Sequence, residues 1–322
     1  MLFLELQHKC VVFNRTSVRF YFDLFMIKFG YINFWATDLD DMIRQEYLVP
    51  LKEKGFDVDM TIYNPVEVEV DVCLHSVFRD PLNIFKVKGN PVFICYSGEN
   101  RLDGYLHPNG YSMSFRQDSD RNIYYPIWEN ECKNLKFRLP FDELIKNKDK
   151  FCTFIISNSG FWWRNIVAEQ LCLYRRIDSC GTALNNMGNG FVLPRDLESC
   201  VNFHKRYKFN LCFENSFDET SDTIYITEKL INAYVYGTVP IYWGSDKVTK
   251  WFNEKAFVNC HGKSSSEIVE LIKKIDSDND LYFEMLSQPL FKEEYRNIDF
   301  HKMNKDKYVD FFKSVIWKEI HK

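Results

Sequence analysis

Residues Tyr207 to Ser245 read YKFNLCFENSFDETSDTIYITEKLINAYVYGTVPIYWGS. Two apolar runs with the character of buried strands bracket a polar loop and the start of a helix. In open α/β sheets ligands bind beyond the carboxyl ends of the strands, and Glu214 and Asn215 stand where the strand Tyr207 to Phe213 should end. Thr227 is placed to cap the helix, Gly237 falls at its C′ position, and Leu230, Ile231, Tyr234 and Val235 give it an apolar stripe. Lys229 breaks the local rule. A cation in the first turn opposes the helix dipole, and an anion held jointly by Lys229 and the helix N-terminus would account for it.

Outward from this stretch, strand-like runs alternate with helical ones, the pattern of parallel sheets with crossover helices. In the first half we read strands at Ile27 to Phe34, Val70 to Leu74 and Pro91 to Tyr96, and a helix at Leu39 to Lys54 closed by Gly55. A second set opens with a strand at Phe151, followed by a helix at Trp163 to Arg175 and strands at Lys208 to Phe213 and Val239 to Trp243. The charged segment Asn130 to Lys150, with Pro140 inside it, reads as a linker. The chain thus divides into an N-terminal extension (1–25), a first Rossmann-like domain (26–150), a second (151–295) and a C-terminal amphipathic helix (296–322). That tail carries Tyr308, Phe311, Phe312, Val315 and Ile316 at helical spacing with lysines around them. It reads as a helix docked on the core, with a membrane-surface contact as the alternative.

With 322 residues the chain is long enough for two cores, and 46% apolar with 27% charged residues is an ordinary globular balance. A net charge of -4 argues against a nucleic-acid partner. Ten cysteines include no C-x-x-C pair, so neither a zinc nor a thioredoxin-like site is supported; Cys95 and Cys212 lie in apolar runs and read as reduced core residues. One sequon, Asn14-Arg15-Thr16, occurs. No stretch has the length and apolarity of a transmembrane helix, and Met1 to Phe25 lacks the order of a signal peptide.

A phosphate-binding G-x-x-x-x-G-K-[ST] loop is absent, as is a G-x-G-x-x-G following a strand, which excludes the two commonest nucleotide signatures. Asp38-Leu39-Asp40 has the form of a D-x-D metal site, but its place at a helix start makes capping the better account. The positive signal is a set of segments. YKFNLCFEN, YITEKLINAY and GTVPIYWGS followed by WFNEKAFVN resemble, in this order, the α-1,3-fucosyltransferase family. KFGYINFW resembles that family's first strand, YSGEN its acceptor-side motif, FIISNSGFWWRN its arginine segment and RIDSCGTALNN its glycine-containing turn.

The resemblance implies a GT-B architecture, two doubly wound Rossmann-like domains facing across a cleft, and inverting transfer of L-fucose from GDP-β-L-fucose to an acceptor hydroxyl. Such a transfer needs a base for the hydroxyl, cationic support for the departing diphosphate and an environment that tolerates an oxocarbenium-like sugar. Glu99, after the strand ending at Tyr96, matches the family's proposed base. Arg164 matches the arginine that contacts donor phosphates; a planar guanidinium binds a phosphate through two parallel hydrogen bonds. Lys229 supplies a second positive charge. Glu228 would repel a diphosphate, so its expected partners are sugar hydroxyls or the positive charge developing on the ring. The family match also implies donor contacts for Asn215 and Tyr225, although turn stabilisation and core packing account for these two residues as well.

The implied partners are GDP-fucose and an acceptor glycan such as N-acetyllactosamine or lactose, with transfer to O3 of GlcNAc or Glc. No cofactor is expected, and a divalent metal would stimulate rather than belong to the fold. Animal members of the family are Golgi proteins with an N-terminal anchor and bacterial ones are cytoplasmic; the bacterial-like arrangement is the expectation, with peripheral membrane contact through the tail, and the Golgi lumen the alternative if an anchor precedes this chain. Two other functions stay open: a GT-B transferase using another nucleotide sugar, and a glycan- or nucleotide-binding protein of the same fold without catalysis.

Overall fold

The computed structural model describes residues 26–320 apart from 101, 103, 189 and 217–222. The expected N-terminal extension, with its sequon, lies outside the described residues.

The first sheet contains β1 (Ile27–Ile32), β2 (Val58–Tyr63), β3 (Val72–Ser76), β4 (Val92–Tyr96), β5 (Tyr111–Ser114) and β6 (Asn122–Tyr124), in the order β2-β1-β3-β4-β5-β6. β1 pairs in parallel with β2 and β3, and β3 with β4. Every residue of β3 is buried, as a central strand covered on both faces requires. Between β1 and β2 the chain winds through α1 (Asp40–Ile43), a π turn (Arg44–Leu48) and α2 (Val49–Glu53). Capping by Asp38 or Asp40 is not what the structure does: α1 opens without a side-chain cap, and the Leu39 N–H donates to the Tyr31 hydroxyl at 3.1 Å.

The second sheet contains β7 (Lys150–Thr153), β8 (Ile177–Asp178), β9 (Tyr207–Leu211), β10 (Val239–Tyr242) and β11 (Val258–Asn259), ordered β11-β10-β9-β7-β8 and parallel throughout. Helices α4 (Trp162–Tyr174), α5 (Leu197–His204) and α6 (Lys229–Val235) supply its crossovers. α7 (Ser265–Ser277) begins in a capping box in which Ser264 and Glu267 exchange hydrogen bonds, and α8 (Asn279–Ser287) follows it. Phe151, Leu171, Phe209, Val239, Ile241 and Ile272 share one core around this sheet.

The chain forms two compact units. One holds the described residues of Met1–Ser97, Arg101–Ser112 and Lys305–Lys322, the other Gly98–Asn100 and Met113–Asn304. The expected boundary at 150 therefore falls inside the second unit. The stretch read as a linker, which contains α3 (Phe141–Leu144), is anchored there: two residues before it the buried Trp128 indole meets the rings of Phe252 and Phe300 at 5.1 and 4.9 Å, and within it Arg138 lies 3.7 Å over the Tyr234 ring while donating to the Leu286 carbonyl. Charge and a proline suggested a solvated connector, but one tryptophan and one stacked guanidinium outweigh them.

The C-terminal helix, α9 (Phe300–Ile320), spends its apolar stripe on packing: Tyr308, Phe312, Val315 and Ile316 are buried, and Phe312 stacks on Tyr47 at 5.1 Å. Among the described residues no helix is long and apolar enough to cross a membrane. The nine described cysteines are free thiols, and burial pushes Cys95 up to about 12, as its place inside β4 predicts.

Two histidines make the fold sensitive to acid. His75 in β3 and His204 at the end of α5 are buried, and burial lowers both from 6.5 to about 4. Between those values the unfolded chain binds protons that the folded chain refuses, so stability is present above pH 6.5 and is lost as pH falls towards 4, by up to about 1.4 kcal/mol per unit for each histidine. Chemical-denaturation midpoints across this window should drop with pH, and His204→Gln should flatten the slope; equal slopes in both proteins would remove His204 from the account.

Candidate active site

Glu214 and Asn215 follow the carboxyl end of β9, and Glu214 meets the start of α6 and the end of β10. Beyond β9 the chain stays extended, with the Glu214 N–H donating to the Trp243 carbonyl at 2.9 Å, and this delivers Glu214 fully buried. Its carboxylate is enclosed by donors. Oε1 accepts the Thr227 N–H at 2.8 Å and the Tyr242 hydroxyl at 3.2 Å; Oε2 accepts the Thr227 hydroxyl at 2.7 Å and stands 3.1 Å from the Lys229 ammonium. Thr227 is therefore not the helix cap expected of it. Its hydroxyl is spent on Glu214, and Glu228 takes the N-cap position of α6 with no side-chain cap. The other end is as expected: Gly237, at φ 80°, closes a Schellman motif in which the Thr238 N–H reaches the Ala233 carbonyl and the Gly237 N–H reaches that of Tyr234.

Lys229 opens α6 and is saturated from three sides, by Glu214, by the Thr227 hydroxyl at 2.7 Å and by Glu228 at 3.2 Å. The cation that breaks the dipole rule is thus balanced within the chain. Burial works against its charge, but the two carboxylates prevail and lift its pKa above the ordinary lysine value. Burial also raises the Glu214 carboxyl, opposed by Lys229. Glu228 is half-exposed, and despite the cost of desolvation Lys229 holds its carboxyl below the usual glutamate range.

Asn215 and Tyr225 are brought together: the Tyr225 hydroxyl donates to Asn215 Oδ1 at 2.8 Å, and the buried Tyr225 ring meets Phe115 edge-on at 4.6 Å. The core role of Tyr225 is thus in place, while the Asn215 side-chain carbonyl is engaged by this phenol. Burial first, then the charges of Glu214, Glu99 and Glu228, raises the Tyr225 phenol, so these carboxylates are felt at one hydroxyl. Glu99 follows β4 as expected and belongs, with Gly98 and Asn100, to the second compact unit.

Arg164 is the third residue of α4, after the loop leaving β7. It is 3% exposed, not a surface residue lying over Trp162, which is 63% exposed. Its guanidinium donates to the Asn158 carbonyl, its Nε has no hydrogen-bond partner, and no carboxylate of the described residues pairs with it. Burial lowers its pKa, while Glu214 and Tyr225 oppose that effect at longer range. A buried cation with an unmet donor is costly unless an anion arrives. The organising residues that the sequence reading left without a role are Glu214 and Tyr242, and the signal was available in the position of Glu214 at the end of a buried strand.

The fold is that of the α1,3-fucosyltransferase crystal structures, GT-B in type. One matches over 93% of both chains with a TM-score of 0.69 at 22% identity, and one crystallised with GDP-fucose over 90% of both with a TM-score of 0.65 at 23% identity. The family model of glycosyltransferase family 10 (fucosyltransferase), C-terminal part, matches residues 145–317, and the chain belongs to this family. Relatives include the α-(1,3)-fucosyltransferase FucT of Helicobacter pylori, 34% identical over 54% of this chain and 35% of that protein. The human GDP-fucose protein O-fucosyltransferase 3 is 28% identical over 75% of this chain and 52% of its own length. The chain thus spans about a third to a half of the curated relatives it matches.

Proposed function

We propose that this protein is a GDP-fucose-dependent fucosyltransferase that moves L-fucose, with inversion, to a hydroxyl of an acceptor glycan, O3 of GlcNAc or Glc. The observation that carries the reading is Arg164: a buried guanidinium without a carboxylate partner among the described residues, on the carboxyl side of a doubly wound parallel sheet, is matched by a diphosphate. In this reading the acceptor hydroxyl loses its proton to Glu99 as its oxygen attacks the anomeric carbon, and the bond from that carbon to the β-phosphate oxygen breaks. Arg164 and Lys229 take up the charge released on GDP, and Glu228, half-exposed and ionised, steadies the oxocarbenium-like ring. Asn215 and the Tyr225 hydroxyl orient the donor as a bonded pair. These side chains, rather than a protein-bound metal, offset the diphosphate.

A second acceptor class, a protein hydroxyl, is favoured by the relative named as a protein O-fucosyltransferase, whose similarity extends over 75% of this chain. Radiolabelled GDP-fucose offered with lactose, N-acetyllactosamine and unglycosylated polypeptide tests both. Label on the disaccharides, with linkage analysis placing it at O3, is the expected result. Label confined to polypeptide selects the second reading, and label released only as free fucose, or none transferred, overturns both.

A further inference from the structure

Lys229 is a cation whose three N–H donors already have acceptors: Glu214 and Thr227 on the buried side and Glu228 on the half-exposed side. The buried partners are fixed. Glu214 is held by Thr227 twice and by Tyr242, and Gly244 leaves room for it, since a Cβ there would stand 2.7 Å from Glu214 Cγ and 2.5 Å from the Tyr242 hydroxyl. An ion pair with a fully buried carboxylate is not needed to start a helix, because apolar residues of the same size would serve stability as well. The half-exposed Glu228 carboxylate is the one partner with room to leave.

We infer that Glu214 is a positioning residue: together with Thr227 it clamps two donors of the Lys229 ammonium, so that the third, held by Glu228 before the donor binds, is aimed at a phosphate oxygen of the nucleotide. The inference rests on the fucosyltransferase reading and deepens it. When the diphosphate takes over this third donor, Glu228 is released towards the sugar, so one exchange of partners sets both residues. Glu214 also places a negative charge close to the anion site, and so it restrains nucleotide affinity while it directs the lysine.

Glu214→Gln keeps the shape and removes the charge. The expected result is a split: GDP binds as tightly as to the wild type, or up to about tenfold more tightly, while turnover with saturating GDP-fucose falls at least about tenfold. A purely structural role would weaken both in proportion to lost stability. Unchanged turnover, or GDP affinity and turnover falling in parallel, overturns the inference. If Glu214→Gln does not fold, Glu214→Asp decides, because it keeps the charge on a shorter arm: GDP affinity near the wild-type value with reduced turnover supports the clamp, and wild-type turnover refutes it. A wild-type protein that does not bind GDP overturns the functional reading itself, whereas wild-type binding with an unaltered Glu214→Gln removes only the role of Glu214.

Discussion

Glu99→Gln is expected to lower turnover by at least about a hundredfold while GDP affinity stays within about threefold of the wild type, the pattern of losing a positioned base. The amide has the same size and cannot take a proton from the acceptor hydroxyl. Glu99 sits after the last residue of β4, in the short Gly98–Asn100 segment that belongs to the second compact unit, and its charge is one of those felt at the Tyr225 phenol. Parallel titrations with GDP and initial rates with saturating acceptor separate the two quantities. Turnover at the wild-type level would take the base role from Glu99, and a matching loss of GDP affinity would make it a donor-binding residue instead.

Removing Arg164 should act on the other half of the reaction. Arg164→Ala takes away a charged hydrogen-bonding group from the proposed phosphate site, worth about 1.5–3 kcal/mol, so GDP should bind about tenfold to a hundredfold more weakly. Because the guanidinium is buried and already short of partners at Nε, Arg164→Lys should rescue little: a lysine offers a point charge but not the planar fork. Calorimetric titration with GDP measures this directly. An Arg164→Ala protein with wild-type GDP affinity and intact stability would mean that the phosphates are held elsewhere.

The doubly wound fold was legible because its strands are continuous apolar runs that end at polar residues, as in Tyr207–Leu211 and Val239–Tyr242, each within two residues of the expected bounds. Gly237 marked the end of α6 for a reason that acts locally, its positive φ. What was hidden depends on partners distant in sequence. Nothing near Trp128 announces that Phe252, Phe291 and Phe300 will close around it, so charge made its neighbourhood look like a linker. Thr227 looked like a cap because a cap is the commonest local use of a threonine, yet Glu214, thirteen residues earlier, takes its hydroxyl. Lys229 was recognisable as an exception, but the compensating carboxylate could be seen only once β9 and α6 were placed in space.

The first compact unit is assembled from both extremities of the described chain: its parallel strands come early, and the helix that buries Tyr47 against Phe312 comes last. During synthesis on the ribosome these strands emerge long before the segment that covers them, while the second unit is translated in between. The strands of the first unit must therefore wait, incompletely closed, for the later turns of α9. A stop codon ahead of Phe312 would leave its damage in the segment around Tyr47, made long before it.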